Sequence, residues 1–164
     1  MTATETHTDG RHDFDFLFGR WTIHNRKLAT PPEPGATEWI EFIAEGEARP
    51  ILGGLGNVDS FRTADLPGSG AYEGMTLRLF DPQADIWRIW WASTGRPGRL
   101  DPPMEGRFVD GHGVFFCDDV LAGRPIKVRF DWTPGVASAR WEQAFSFDDG
   151  QSWEQNWVMS FTRA

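Results

Sequence analysis

The sequence is short of cysteine and of basic residues, and each shortage excludes a class of protein. Its single cysteine, Cys117, has no partner for an internal disulfide, which is typical of a reducing compartment, so we predict a cytoplasmic protein. The 16 lysines and arginines stand against 24 acidic residues, and the net charge of −8 disfavours nucleic acid and anionic membranes as partners. No apolar run reaches membrane-spanning length, and the first residues lack the basic and apolar segments of a secretory signal.

Motifs for catalysis and for metal binding are also missing. The four histidines do not show the spacing of zinc ligands, and no Gly-x-Ser-x-Gly motif marks a nucleophile. The glycine-rich stretch 52–56 lacks the lysine and the following helix of a phosphate-binding loop. The acidic neighbours Asp118 and Asp119 are expected to raise the pKa of the Cys117 thiol, which opposes a reactive thiolate. We therefore predict no metal and no cofactor.

Aromatic residues are abundant instead, with nine tryptophans and thirteen phenylalanines in 164 residues. Apolar and polar side chains alternate in short segments that are separated by glycine, proline and aspartate, and no long helical pattern occurs. The predicted strands include 38–47, 58–63, 86–93 and 104–109. This pattern predicts an all-β fold, a single antiparallel barrel of about ten strands over residues 12–164, after a flexible tail over residues 1–11.

The segment that precedes the first strand is unusually apolar. Phe14, Leu17 and Phe18 have the i, i+3, i+4 spacing that places side chains on one face of a helical turn. Gly19 ends this turn, because a residue without a Cβ atom adopts the left-handed conformation at low cost. From Trp21 onwards the side chains alternate as on a strand. We predict that the turn forms a short helical plug at one end of the barrel.

An apolar plug that enters the first strand through Gly-x-Trp resembles the opening of lipocalin-like, or calycin, barrels. The resemblance implies that Trp21 lies at the closed end and that an arginine of the last strand, here Arg163, packs across it. A haem-binding barrel of the nitrobindin type opens in a similar way, but it requires a histidine late in the chain, and none follows His112. The resemblance therefore does not predict haem.

Most of the chain looks like a family of small bacterial proteins of unknown function that belong to the lipocalin-like barrels. The segments that carry this resemblance are 14–21, 72–82, 87–91, 140–146 and 153–159. Their motifs are structural, so the resemblance implies a fold and no activity. The chain differs from secreted lipocalins because it lacks a signal segment and paired cysteines.

One further motif lies before the last strand. Ser146, Asp148, Gly150, Ser152 and Trp153 match every defined position of the Asp-box, Ser-x-Asp-x-Gly-x-Ser/Thr-Trp. Sialidases carry several copies of it, whereas this chain has one copy and no surrounding repeat. The motif therefore predicts a folded turn between the last two strands, in which the aspartate accepts hydrogen bonds from turn amides and the glycine supplies a positive φ angle.

Polar residues that share strands with aromatic side chains are the candidates for a ligand site. A largely apolar barrel cavity with a few convergent polar groups is typical of small-molecule binding. The candidate orienting side chains are His24, Arg78, Arg88 and Glu142. The candidate aromatic wall residues are Trp39, Trp90, Trp91, Trp132 and Trp141. For each polar residue taken alone, a position on the outer, solvated face is the simpler expectation.

We predict that the barrel binds a small hydrophobic or aromatic molecule without catalysis, because no pair of groups has the spacing that acid–base or nucleophilic chemistry requires. Two alternatives stay open. An enzyme of a biosynthetic pathway, of the isomerase or cyclase type, would use the same cavity to orient its substrate. A barrel that is packed shut would instead be a structural or interaction protein.

The segment from Ile86 to Ala92 carries apolar side chains on both faces, interrupted only by Arg88. One face of a barrel strand belongs to the interior, whereas the other usually meets water. A second apolar face requires a cover, either from a loop or from another subunit. We therefore predict a homodimer, with a covering loop as the alternative.

Overall fold

Ten antiparallel strands close into a barrel in the computed structural model, which describes residues 9–29 and 32–164. The strands are β1 (Gly19–Leu28), β2 (Trp39–Ile51), β3 (Gly56–Leu66), β4 (Gly70–Asp81), β5 (Ile86–Ser93), β6 (Met104–Val109), β7 (His112–Leu121), β8 (Arg124–Pro134), β9 (Ser138–Ser146) and β10 (Glu154–Arg163). Each strand pairs with its neighbours in the chain, and β10 pairs with β1. The predicted all-β fold, a single antiparallel barrel of about ten strands, is confirmed. Residues 1–8 of the predicted tail lie outside the described residues.

Pairing between neighbours determines where strands end. The predicted strands 86–93 and 104–109 coincide with β5 and β6. By contrast, β2 was predicted to end at residue 47, and it continues to Ile51, which pairs with Gly56 of β3. A strand continues for as long as its partner satisfies the backbone N–H and C=O groups, so side-chain alternation alone underestimates its length.

The apolar plug consists of two 3₁₀ turns, Gly10–His12 and Asp15–Leu17, rather than one α-helical turn. Phe14, between them, is fully buried, and its ring lies 5.1 Å from that of Trp87 in an edge-to-face contact. Gly19 follows with a φ angle of +107°, as its predicted role requires. The plug closes one end of the barrel, and we call this end the floor.

Trp21 and Arg163 fasten the plug to the barrel. The indole nitrogen of Trp21 donates a hydrogen bond to the carbonyl oxygen of Leu17 at 2.7 Å. The guanidinium of Arg163 lies 3.8 Å above the indole ring and donates to the carbonyl oxygens of Phe16 and Phe18. These contacts satisfy carbonyl groups of the short plug while they stack a cation on an aromatic face. The predicted packing of Arg163 across Trp21 is confirmed.

The Asp-box forms the turn between β9 and β10. The carboxylate of Asp148 accepts hydrogen bonds from the hydroxyl of Ser146 at 2.9 Å and from the backbone N–H of Ser152 at 2.8 Å. Gly150 has a φ angle of +87°. Hydrogen bonds from the side chain and the backbone of Ser152 lower the pKa of Asp148 to about 2. The predicted folded turn is confirmed, and it lies at the end of the barrel opposite the floor, which we call the mouth.

Candidate functional site

The barrel encloses a cavity of about 340 Å³. Leu17 and Trp21 line it at the floor, and Pro32 and Pro102 line it at the mouth. A volume of this order is typical of small-molecule sites. The interior is therefore not packed shut, which disfavours a filled structural barrel.

Four of the predicted site residues line this cavity, namely Arg78, Trp91, Trp132 and Trp141. Trp91 meets Phe61 and Trp157 edge to face, with ring centroids 6.0 and 6.4 Å apart. Because β5 and β10 lie on opposite sides of the barrel, the contact between Trp91 and Trp157 narrows the interior. Three of the five predicted wall tryptophans thus line the cavity.

The other predicted residues do not line the cavity and project from the outer face of the barrel: His24, Trp39, Arg88, Trp90 and Glu142. His24 lies 3.8 Å from Glu41, and Arg88 lies 3.0 Å from Asp81. Strand alternation explains these positions, since Trp91 faces inwards and its neighbours on β5 must face outwards. The structure therefore separates the nine candidate residues into four that line the cavity and five that do not.

Arg78 is buried at the floor, with 3% of its surface exposed. Its guanidinium lies 2.7 Å from the carboxylate of Asp59 and donates a hydrogen bond to the side-chain oxygen of Asn57 at 2.9 Å. The same group lies 5.0 Å from the ring centroid of Phe14. The charge of Arg78 is thus matched by a carboxylate and by an aromatic face, as a buried cation requires.

Lys27 lies towards the mouth, half-buried on the inner face of β1. Its ammonium lies 5.2 Å from the ring centroid of Trp157, whose indole N–H donates to Asn25 at 3.0 Å. None of the described carboxylates forms an ion pair with Lys27, and burial lowers the pKa of its ammonium. Lys27 is therefore a cation that faces the cavity without a counter-charge among the described residues.

Asn156 lies on the neighbouring strand, one residue before the register partner of Lys27, with 2% of its surface exposed. Its side-chain oxygen accepts a hydrogen bond from the amide of Gln143 at 2.7 Å. Within the described residues its amide nitrogen has no hydrogen-bond partner. Since Gln143 fixes the orientation of the amide, Asn156 presents a donor to the interior.

Acidic groups and a thiol form the opposite wall at the mouth. Burial raises the pKa of Cys117 to about 12, and Asp119 adds to this effect, so the thiol stays protonated at neutral pH. Asp101 pairs with Arg96 at 2.8 Å, and burial also raises the pKa of its carboxyl. The raised thiol pKa agrees with the expectation that Cys117 is unreactive.

Lys27 and Asn156 share strands with aromatic residues, but the candidate residues chosen from the sequence did not include them. Lys27 lies on the same face of the strand as Trp21 and Ile23. Its inward direction therefore follows from a position of Trp21 inside the barrel. Asn156 lies at a register shift between Gln155 and Trp157, where alternation no longer indicates the face. A bulge of this kind has no signal in the sequence.

The fold places this protein among the closed antiparallel β-barrels. A closed antiparallel barrel of ten strands with an N-terminal plug is consistent with a calycin-like fold. No protein-family model matches the chain, and a search of curated proteins gives no match.

In the described ranges there is no helix long and apolar enough to cross a membrane. In the same residues, no group of three or more histidine, cysteine, aspartate or glutamate side chains is placed to hold a metal ion.

Proposed function

We propose that the barrel binds a small, mostly hydrophobic or aromatic molecule in its cavity and does not transform it. The observation that carries this proposal is a cavity of about 340 Å³ with tryptophan walls and a mostly apolar lining. Trp91, Trp132 and Trp141 supply rigid apolar surface, which loses little conformational freedom when a ligand binds.

Binding is favoured over catalysis by the state of the polar side chains around the cavity. Arg78 is already paired with Asp59 at 2.7 Å, and the thiol of Cys117 is protonated because its pKa is raised to about 12. Among the described cavity residues, no nucleophile lies within hydrogen-bond reach of a base that could activate it. The isomerase or cyclase alternative rests on the free Arg78 Nε donor, which could polarise a carbonyl group.

Trp90 and Trp91 provide a matched test of the binding site. They are adjacent on β5, and Trp91 lines the cavity whereas Trp90 faces outwards. We expect at least one member of a panel of hydrophobic and aromatic metabolites to bind at submillimolar concentration in calorimetry. Trp91→Ala should weaken that binding by about tenfold, because truncating a buried aromatic contact removes over 1 kcal/mol, and Trp90→Ala should leave it unchanged.

Two outcomes would contradict this proposal. If no compound of the panel binds, or if Trp90→Ala weakens binding as much as Trp91→Ala does, the cavity is not the binding site. Chromatography and NMR of the recovered ligand separate the two function classes, because an isomerised or cyclised product can have the same mass as the compound that was added. An unchanged compound supports simple binding, and an altered one supports the isomerase or cyclase alternative.

We also propose a homodimer that covers the outer face of β4 and β5. Leu77 and Trp90 are register partners on this face, and Met75 and Leu79 flank them, all half-buried. Such an apolar face gains stability when a second copy covers it. Light scattering should give a dimer at micromolar concentration for the parent and a monomer for Trp90→Glu; a monomeric parent would remove this proposal.

The bacterial family and the cytoplasmic location also belong to the proposal. Membership of the family of small bacterial barrels is supported by the plug with Trp21 and Arg163 and by the strand motifs at 72–82 and 87–91. A reducing compartment is supported by the single, unpaired Cys117. Fractionation of the native cells tests the location, since recovery outside the cytoplasm would overturn it.

A further inference from the structure

The unpartnered polar atoms inside the barrel are all hydrogen-bond donors. In the described part of the chain, three buried side-chain nitrogens have no partner: Asn57 Nδ2, Arg78 Nε and Asn156 Nδ2. Amide and guanidinium N–H groups can only donate, and no buried side-chain oxygen of the described residues is left without a partner. A molecule that satisfies this interior must therefore supply acceptor atoms.

The chain has two lysines, Lys27 and Lys127, and they differ in whether a described carboxylate pairs with them. Lys127, on β8, lies 2.8 Å from Asp118 and 3.5 Å from Asp149. Lys27 faces the cavity instead, and its neighbour on β10 in the strand register is Trp157. Its closest described polar interaction is with the face of that ring, at 5.2 Å. Burial removes part of the water that would otherwise solvate this ammonium group, and no described carboxylate compensates for the loss. The ammonium group therefore attracts an anion.

Resting on the binding function proposed above, we propose that the bound molecule carries a carboxylate-type anionic group, which pairs with Lys27 and accepts a hydrogen bond from Asn156. These two donors lie on adjacent strands, and Asn156 directly precedes Trp157, the register partner of Lys27. Gln143 holds the Asn156 amide with its nitrogen free. The ligand class is thus a small aromatic or hydrophobic acid.

The charges around the mouth also fix the orientation of this acid. Asp101 and Asp119 line the opposite wall. Arg96 pairs with Asp101 at 2.8 Å, so it is Asp119 that repels an anion there. Strands β8, β9 and β10 separate β7, which carries Asp119, from β1, which carries Lys27. The anionic group is therefore directed to the β1–β10 side, and its apolar part lies among the tryptophans. Trp157 adjoins both the charged and the apolar part of the proposed ligand site, because its ring contacts both Lys27 and Trp141.

A pair of isosteric probes tests the proposal. 2-Naphthaleneacetate and 2-naphthaleneacetamide have the same rings and nearly the same volume, and only the first carries a charge. We expect the parent protein to bind the acetate about tenfold more tightly than the acetamide, as measured by calorimetry at neutral pH and low salt. Lys27→Met should abolish this preference by weakening the acetate alone. Lys27→Arg should retain it.

Controls separate charge recognition from changes in pocket shape. Lys127→Met removes the other lysine, which lies in outer ion pairs, and should change the affinity for neither probe. Asn156→Asp places a negative charge beside the proposed anion, so it should weaken the acetate more than the acetamide. If Lys27→Met weakens both probes equally while the thermal stability of the protein is not lowered, Lys27 shapes the pocket, and the proposal is wrong.

The binding results distinguish an error in the proposed anionic group from an error in the proposed binding function. Equal affinity of the parent for acetate and acetamide overturns the anion and leaves the cavity as a binding site. The same conclusion follows if neither probe binds but neutral compounds of the metabolite panel do. If no compound of the panel and neither probe binds, the binding function itself fails, and this inference fails with it.

A second measurement uses the parent chain, so it does not depend on the folding of a variant. Reductive ¹³C-methylation keeps the lysine charge and gives one NMR signal from each of the two lysines, which Lys127→Met assigns. Addition of the acetate should shift the Lys27 signal and leave that of Lys127 in place. The acetamide should shift the Lys27 signal less. An unshifted Lys27 signal at a saturating acetate concentration would overturn the proposed pairing.

Discussion

The floor and the mouth of the barrel treat their interior cations in opposite ways. At the floor, Arg78 lies 2.7 Å from Asp59 and 5.0 Å from the Phe14 ring, so the protein itself matches the charge. At the mouth, Lys27 lies 5.2 Å from the centroid of the Trp157 ring, and no described carboxylate pairs with it. From this difference we infer that the polar contacts at the floor stabilise the fold, whereas the cation at the mouth is available to pair with a ligand.

The same contrast holds for the apolar contacts. Phe14 packs edge to face against Trp87 and Phe108 at the floor, with ring centroids 5.1 and 5.0 Å away. Towards the mouth, Trp91 and Trp157 are in looser contact at 6.4 Å, and the cavity lies between such rings. Substitutions at the two ends should therefore differ in size and even in sign.

The largest effect is expected for Phe14→Ala. The ring is fully buried among aromatic side chains, so its removal should lower the free energy of unfolding by about 3–5 kcal/mol, through lost transfer energy and a cavity. Urea unfolding monitored by tryptophan fluorescence measures this change. Phe16→Ala, at a half-buried plug residue, should have a smaller effect. A loss below about 1 kcal/mol for Phe14→Ala would show that the plug does not close the floor.

The second effect follows from the ion pair at the floor. Asp59→Ala leaves Arg78 buried without its carboxylate, which should cost about 3 kcal/mol of the free energy of unfolding. The exposed Asp65 on the same strand is the control, and Asp65→Ala should change little. Adding Arg78→Met to Asp59→Ala should restore part of the loss, because the unpaired charge is removed. An unchanged stability for Asp59→Ala alone would contradict a structural role for this pair.

How far the sequence predicts each end of the barrel depends on the kind of signal. The plug, the Gly19 break and the packing of Arg163 over Trp21 are local or terminal features, and they were predicted. The pairing of Arg78 with Asp59 depends on the register between β3 and β4, in which Asp59 is opposite Thr76. Side-chain alternation gives no register between strands, so this contact was not predictable.

Which face of a strand points into the barrel was predictable only where a residue with an expected interior position marks that face. On β4, Met75, Leu77 and Leu79 lie on the outer face, whereas Arg78 lies inside. Hydrophobicity alone therefore selects the wrong face of this strand, since the outer side is the more apolar one. On β1, by contrast, Trp21 marks the inner face, and Lys27 follows from it by alternation.

A smaller effect is expected for Arg163→Met at the edge of the floor. The substitution removes a cation from the face of Trp21 and the donors to Phe16 and Phe18, which should lower the free energy of unfolding by about 1–2 kcal/mol. Thermal unfolding detects such a change as a lower Tm. The exposed Arg62, which lies 3.4 Å from Glu73, is the control, since surface ion pairs contribute little. Equal effects of Arg163→Met and Arg62→Met would remove the fastening role.

The last effect is the smallest, and its sign is reversed. Lys27→Met keeps the length of the side chain, removes a half-buried cation that no described carboxylate matches, and retains an apolar contact with Trp157. The free energy of unfolding of the ligand-free protein should therefore rise by about 0.5–1 kcal/mol, because an unmatched charge no longer has to leave water. Chemical denaturation of parent and variant, with Lys127→Met as the control, measures this difference. Lys127→Met removes two outer ion pairs and should change stability little, or lower it. If Lys27→Met destabilises the barrel as Asp59→Ala does, the lysine contributes to the fold, and the contrast between floor and mouth disappears. A stabilised variant that has lost its preference for the naphthalene acid would show that Lys27 costs the fold stability and serves binding.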